Sequence, residues 1–331
     1  MSADLPAGPP GPLRLSVVVP VFNEEAVLPE FHRRLSAVLD TLGADAEILY
    51  VNDGSDDRSA VALGELHARD PRVGVLDLSR RFGKEVALSA GLDHAEGDAV
   101  VVIDADLQDP PELIPELVAR WREGYDVVYA QRTERSGETV MKKLTASLFY
   151  RMVHRIGGIH IPKNTGDFRL LSRRTVAALR GLRERHRFMK GLFAWVGYRQ
   201  VAVPYRRDPR HAGNTKWNFR SLWTLAVEGF TSFTTAPLKV ATYMGLLVAG
   251  FAFVYASWII YKTLVYGNPV AGYPSLMVVI LFLGGVQLVA IGLLGEYIGR
   301  MFDETKGRPL YLVDCYRSAR AAAGRERPAG P

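Results

Sequence analysis

Short apolar runs at residues 15–19, 47–51, 73–76, 99–103 and 126–130 alternate with stretches of helical composition at 24–42, 56–68, 84–95 and 111–123. Continuous β-branched and apolar runs of this length read as strands covered on both faces. Strand–helix alternation predicts an α/β fold with a mostly parallel sheet, whose ligands sit at the carboxyl ends of the strands. Pro111 falls near the start of its helix, where a missing N–H does no harm. The informative residues cluster at those strand ends. Pro20-Val21-Phe22-Asn23-Glu24-Glu25 follows the first run, Asn52-Asp53-Gly54-Ser55-Asp56-Asp57 the second, and Asp104-Ala105-Asp106 the fourth.

Asp104 and Asp106 are the sharpest signal. Two carboxylates one residue apart at the end of a buried strand repel each other unless a cation neutralises them. A hard ion such as Mg²⁺ keeps coordination positions open for substrate phosphates, which makes a nucleotide diphosphate the natural ligand. An isolated D-x-D followed by Pro110-Pro111 also reads as a solvated turn, so the rest of the chain has to decide.

The 331 residues are 48% hydrophobic and 23% charged, enough for one sizeable catalytic domain plus a smaller part. Cys315 is the single cysteine, which excludes an internal disulfide and a multi-cysteine zinc site. A net charge of +6 suits nucleic acid, anionic lipid or phosphorylated substrates, and its distribution favours a membrane over nucleic acid. Residues 240–261 and 275–295 carry no charge, and each has about the 20 residues that cross a bilayer as a helix. Arg206, Arg207, Arg210, Lys216, Arg220 and Lys239 precede the first span, Arg300, Lys306 and Arg308 follow the second, and the connector 267–274 has no Lys or Arg. The positive-inside rule puts the catalytic domain and both termini in the cytoplasm.

The expected organisation is a flexible tail at 1–12, a catalytic domain at 13–215, interfacial amphipathic helices at 216–236, transmembrane helices at 237–266 and 274–300, and a cytoplasmic tail at 301–331. In the interfacial segment Trp217, Phe219, Trp223, Phe230 and Phe233 mix with Lys216, Arg220 and Glu228, although a core helix of the soluble domain has the same pattern. Gly245, Gly250, Gly284, Gly285, Gly292 and Gly295 permit close helix approach, so a homo-oligomer through the spans is an expectation.

Together, the loops at 17–25, 51–57 and 104–112 resemble family 2 glycosyltransferases of the GT-A fold. Asn164-Thr165-Gly166-Asp167-Phe168-Arg169-Leu170, Gly213-Asn214-Thr215-Lys216-Trp217 and the two spans narrow the likeness to polyprenyl-phosphate glycosyltransferases, a group that includes bactoprenol glucosyltransferases and dolichol-phosphate mannose synthases. The resemblance implies inverting transfer of one hexose from a nucleotide-diphosphate sugar, UDP-glucose favoured over GDP-mannose, to polyprenyl phosphate. It implies that Pro20, Asn23, Glu24 and Asp53 hold the nucleoside and that Asp104 faces the nucleotide sugar. Asp106 and Gln108 are the implied ligands of Mg²⁺ or Mn²⁺, and Asp167 the implied candidate base. Arg132, Arg169, Arg207, Arg210 and Lys216 are candidates for the phosphates, with a positive-inside flank as the competing explanation of Arg207, Arg210 and Lys216. No Gln-x-x-Arg-Trp motif follows the catalytic domain, which disfavours a processive synthase; a catalytically idle membrane scaffold is the rival from a different class.

Overall fold

The computed structural model describes residues 13–133, 162, 164–185, 187–205 and 272–319, with scattered positions between 243 and 266. One eight-stranded sheet organises the described chain, in the order β7-β5-β6-β4-β1-β2-β3-β8. Its strands are β1 (Arg14–Val21), β2 (Asp45–Asn52), β3 (Val73–Leu78), β4 (Ala99–Val102), β5 (Val127–Arg132), β6 (Thr165–Ser172), β7 (Gln200–Tyr205) and β8 (Val313–Arg317). The pairs β1–β2, β1–β4, β2–β3 and β5–β7 are parallel, whereas β4–β6, β5–β6 and β3–β8 are antiparallel. The helices are α1 (Leu28–Leu42), α2 (Ser59–Arg69), α3 (Lys84–His94), α4 (Ile114–Arg122), α5 (Arg173–Gly181), α6 (Met189–Trp195) and α7 (Tyr273–Thr305).

Both faces of the sheet are covered, which is why β1 is apolar at successive positions. Val17 and Val19 pack with Phe31, Leu35, Ile48 and Tyr50 on one side, while Val18 packs with Leu49, Val51, Leu88 and Leu92 on the other. Pro20 is tolerated within β1 for a related reason. The carbonyl of Val18 accepts from Ile103 N on the β4 side, so Pro20, two residues on, turns its missing N–H to the same side, beyond the last β1–β4 partner.

Two helices start later than expected. Residues 22–27 and 53–58 are laced to each other instead: Glu24 N donates to Ser59 Oγ at 2.9 Å, Arg58 N to Glu25 Oε2 at 2.8 Å, and Asp56 N to Asn23 Oδ1 at 2.9 Å. These contacts take up backbone donors that a helix start would leave unsatisfied, and α1 and α2 begin only at Leu28 and Ser59. The stretch 111–123 divides into a 3₁₀ turn at Pro111–Leu113 and then α4.

The expected second span falls inside α7, whose 33 residues rise to about 50 Å. Within it Phe282–Thr305 is long and apolar enough to cross a membrane, the one such helix among the described residues. Its side chains Phe282, Leu288, Val289, Ile291 and Ile298 are exposed. The expected interfacial segment lies outside the described residues, as does half of the first span. The expectation of a tail after residue 300 is corrected: α7 runs on to Thr305, and β8 then returns to the sheet edge and pairs with β3.

Gly91 shows how closely α3 lies on the sheet. A Cβ there would stand 2.2 Å from Val18 Cγ1 and 3.1 Å from Val51 Cγ2, and both valines are fully buried. Overpacking of this kind costs roughly 1–3 kcal/mol, more than the gain of about 1 kcal/mol in helix propensity. Gly91→Ala should therefore lower Tm by roughly 3–6 °C in a thermal melt; an increase would mean that the contact relaxes freely.

Candidate active site

The loops after β1, β2, β3 and β4 meet at one edge of the sheet. Asp53 N donates to Val21 O at 2.9 Å, and the buried Asp53 carboxylate accepts from Phe82 N at 2.7 Å and Gly83 N at 2.9 Å. Asp53 thereby ties the loop after β2 to the loop after β3. Burial raises its pKa, and the two amide donors oppose that rise. The crossing is tight at Gly54, where φ is +63° and a Cβ would lie 2.6 Å from the backbone of Arg80 and Arg81. Asn23, at φ +56°, is exposed in the neighbouring loop, and Glu24 is half-buried.

At the end of β4, Asp104, Asp106 and Gln108 are partly exposed while Ala105, Leu107 and Asp109 are buried. Leu107 has φ +57°, a left-handed conformation uncommon for a non-glycine residue. Its buried side chain anchors the loop, and Gln108 N donates to Asp106 Oδ1 at 3.1 Å.

Asp167 lies within β6, antiparallel to β4, which brings it beside Asp104. Between them stands Lys84, the first residue of α3, whose Nζ donates to Asp104 Oδ2 at 2.7 Å and to Asp167 Oδ2 at 2.6 Å. Burial works against the lysine charge, but the two carboxylates outweigh it and raise its pKa. Burial would likewise raise Asp167, yet Lys84, helped by Lys190, holds it well below the usual carboxylate range. Asp104 is shifted upward by burial, with Lys84 opposing and Asp167 reinforcing the shift. Each carboxylate keeps one buried oxygen, Oδ1, without a hydrogen-bond partner.

Behind this centre the arginines divide into two roles. Arg169 is buried, its guanidinium 3.8 Å above the Phe193 ring and donating to Gly166 O at 2.8 Å and Asp167 O at 3.2 Å. The expectation that it binds a phosphate is corrected to a support beneath Asp167, because every contact of its head group faces the protein interior. Arg132 ends β5 and is less enclosed; its Nε donates to Tyr205 Oη at 3.2 Å, and Tyr205 donates in turn to Asp109. Arg132 Nη2 would lie only 3.0 Å from a Cβ at Gly166, next to Asp167, so this glycine makes room for the guanidinium. Arg207, Arg210 and Lys216 lie outside the described residues.

No group of three or more His, Cys, Asp or Glu side chains gathers as a metal cage among the described residues. The donor chemistry still suits a hard divalent ion in part. Asp104 presents a buried oxygen that lacks a partner and Asp106 lies two residues away, so oxygens from a bound diphosphate and water would complete the coordination.

Residues 16–180 match Glycosyl transferase family 2, and residues 236–301 match the GtrB C-terminal hairpin. An uncharacterized glycosyltransferase of Synechocystis sp. is 54% identical over 91% of this chain and 95% of its own length. The chain belongs to glycosyl transferase family 2. The bactoprenol glucosyl transferase of Shigella phage SfII is 50% identical over 91% of this chain and 97% of its own. Among solved structures, mannosyl-3-phosphoglycerate synthase from Rubrobacter xylanophilus covers 65% of this chain and 71% of its own, with 21% identity and a TM-score of 0.46. The fold of this family 2 member is GT-A-like α/β with a mostly parallel sheet.

Sequence reasoning missed Lys84 and its neighbour Glu85. The available signal was Gly83-Lys84-Glu85 after a strand: Gly83 has φ +103°, and the lysine directly follows it at the helix start. A lysine at a helix start ordinarily reads as a solvated charge. Lys84→Met keeps the bulk and removes the charge, and the loss of electrostatic balance should lower sugar transfer about 100-fold while the protein stays folded. Transfer within about threefold of the parent would show that Asp104 and Asp167 do not depend on the ammonium.

Glu85 accepts from Met189 N at 3.0 Å, and burial together with the Asp167 charge pushes its pKa up to about 7. An unfolded glutamate ionises near 4.3, so this residue's contribution to stability is complete below that pH and is lost as pH rises to about 7. Glu85→Gln should be near neutral at pH 4.5 and stabilising by roughly 2 kcal/mol at pH 8 in thermal melts of metal-free protein. Equal effects at the two pH values would contradict the assignment.

Proposed function

We propose that this chain transfers one glucose from UDP-glucose to polyprenyl phosphate at the cytoplasmic face of the membrane, with inversion to a β-linked product. The observation that carries this reading is the 50% identity to a bactoprenol glucosyl transferase over 91% of the chain. The Asp104–Lys84–Asp167 cluster supports it.

In this reading the loops at Pro20–Glu24 and Asp53 receive the nucleoside, with Asp104 beside the sugar. A bound Mg²⁺ or Mn²⁺ held by Asp106, with Asp104 and Gln108 beside it, would act as a Lewis acid and offset charge on the departing diphosphate. Arg132, with Arg207, Arg210 and Lys216 by their position in the sequence, serves the phosphates; arginine's planar fork suits phosphate oxygens and lysine supplies a point charge. Anionic donor and acceptor repel each other, so these cations must hold them in line.

The acceptor needs little activation, because a phosphate monoester with a second pKa near 6 is already mostly dianionic at neutral pH. Asp167, kept ionised by Lys84, is a weak proton acceptor. We therefore assign it the orientation of the acceptor or of a sugar hydroxyl. The membrane part follows from the acceptor's tail, since burying each CH₂ contributes roughly 0.8 kcal/mol and the lipid cannot leave the bilayer cheaply. Two spans, a homo-oligomer through them and contact with membrane lipids belong to the same proposal, supported by the hairpin match at residues 236–301.

The test is transfer of radiolabelled sugar from a panel of UDP- and GDP-sugars to polyprenyl phosphate, with Mg²⁺ or EDTA. UDP-glucose should give one EDTA-sensitive lipid-linked monosaccharide, and Asp106→Asn should lower its formation at least 100-fold. Arg132→Ala should raise the acceptor requirement more than the donor requirement. A GDP-mannose product would replace the donor, and no product from folded protein would favour an idle scaffold.

A further inference from the structure

β8 joins the sheet after a long detour. The chain leaves the catalytic domain, forms the apolar helix α7, and then adds an antiparallel strand to the free edge of β3. The return is fastened at several points. Arg185 N donates to Glu304 Oε1 at 2.7 Å, Tyr311 Oη to Asp93 Oδ2 at 2.9 Å, and Ser79 N to Leu312 O at 3.0 Å. Ser79 immediately precedes the Arg80–Lys84 loop, so β8 is bonded to the chain just where β3 gives way to the active-site edge.

A chain of polar contacts runs inward from this strand. Arg317 Nη2 donates to Asp77 Oδ2 at 2.7 Å. Asn52 Nδ2 donates to the other oxygen of Asp77 at 2.8 Å, and Asn52 Oδ1 accepts from Ser55 N at 3.1 Å. Ser55 Oγ in turn accepts from Asn23 N at 3.1 Å. Asn52 is buried, so each of its amide groups needs a partner, and a rotated side chain would leave one unsatisfied. Arg317 reaches across the strand edge to fix Asp77, Asp77 fixes Asn52, and Asn52 sets the turn that holds Asp53 and Ser55. A bulge between Asp77 and Leu78 breaks the β3–β8 register at the same place.

From this we infer that the C-terminal strand is a positioning element for the nucleotide loops, with Arg317 acting through Asp77 and Asn52 on residues 52–55 and Asn23. Because β8 directly follows α7, seating of the apolar helix and order in the nucleotide loops are coupled through one strand. The inference rests on the reading of these loops as the nucleoside site only for its effect on the donor; the contacts that order the loops stand without it.

The experiment uses the full-length protein and three variants: Arg317→Ala, Arg317→Lys and Asp77→Asn. Hydrogen exchange of the amides at residues 53–57, measured without nucleotide, should speed up about tenfold in Arg317→Ala and Asp77→Asn, while exchange in β1 stays as in the parent. Arg317→Lys, which keeps the charge, should recover most of the protection. With UDP-glucose as donor, Arg317→Ala should raise the donor KM about three- to tenfold and leave kcat within about twofold. Unchanged exchange at 53–57 overturns the proposal, as does a general loss of protection that includes β1, which would make Arg317 a plain stabiliser of the fold. Faster exchange with an unchanged donor KM supports the loop coupling and instead strikes the reading of these loops as the nucleoside site.

Discussion

One ammonium group organises the reactive edge of this protein. Lys84 is bonded at once to Asp104 from the end of β4 and to Asp167 from β6, two carboxylates that repel each other when both are ionised. Strand order makes the encounter inevitable. β6 runs antiparallel to β4, and α3 enters from the far side of β1, so three distant segments converge on one point. The surrounding parts serve this centre: Arg169 supports Asp167 from beneath, Leu107 kinks the acidic loop, and Asp53 ties down the turn that leads into Lys84.

In the proposed reading, a site charged in this way would receive an anionic donor together with a metal ion. Its two carboxylates share one ammonium group, yet each keeps a buried oxygen without a partner. Such an arrangement costs stability and is retained where function requires it. The loops after β1 and β2 beside it are laced to each other by main-chain donors and then, through Asn52 and Asp77, to the strand that follows α7. Catalytic edge and apolar helix are thereby joined by short covalent and hydrogen-bonded paths.

Strands β1 to β5 could be read in advance because apolar residues occupy consecutive positions when both faces of a sheet are covered. Asp104 and Asp106 stood out because acids so near the end of a buried run need a reason. Lys84 did not stand out: its partners are 20 and 83 residues away, and nothing in a local pattern separates a bridging lysine from a solvated one. Arg169 misled for the converse reason, since a cation next to Asp167 suggests a phosphate, while the Phe193 ring that buries it comes from α6. β6 carries Asp167 and Arg169 in mid-strand and β8 is short and half polar, so hydrophobic periodicity is weak in both. β8 is also an edge strand, where pairing depends on backbone geometry more than on side-chain pattern.

The measurement that bears most directly on the Lys84-centred site is Mn²⁺ binding to the purified protein, followed by electron paramagnetic resonance with and without UDP. With Lys84 offsetting part of the carboxylate charge and no cage of three ligands among the described residues, Mn²⁺ should bind weakly alone and at least tenfold more tightly with UDP, whose phosphates would complete the coordination. Lys84→Met should tighten the nucleotide-free binding. Tight Mn²⁺ binding to the parent protein without UDP, unchanged in Lys84→Met, would contradict this account of the site.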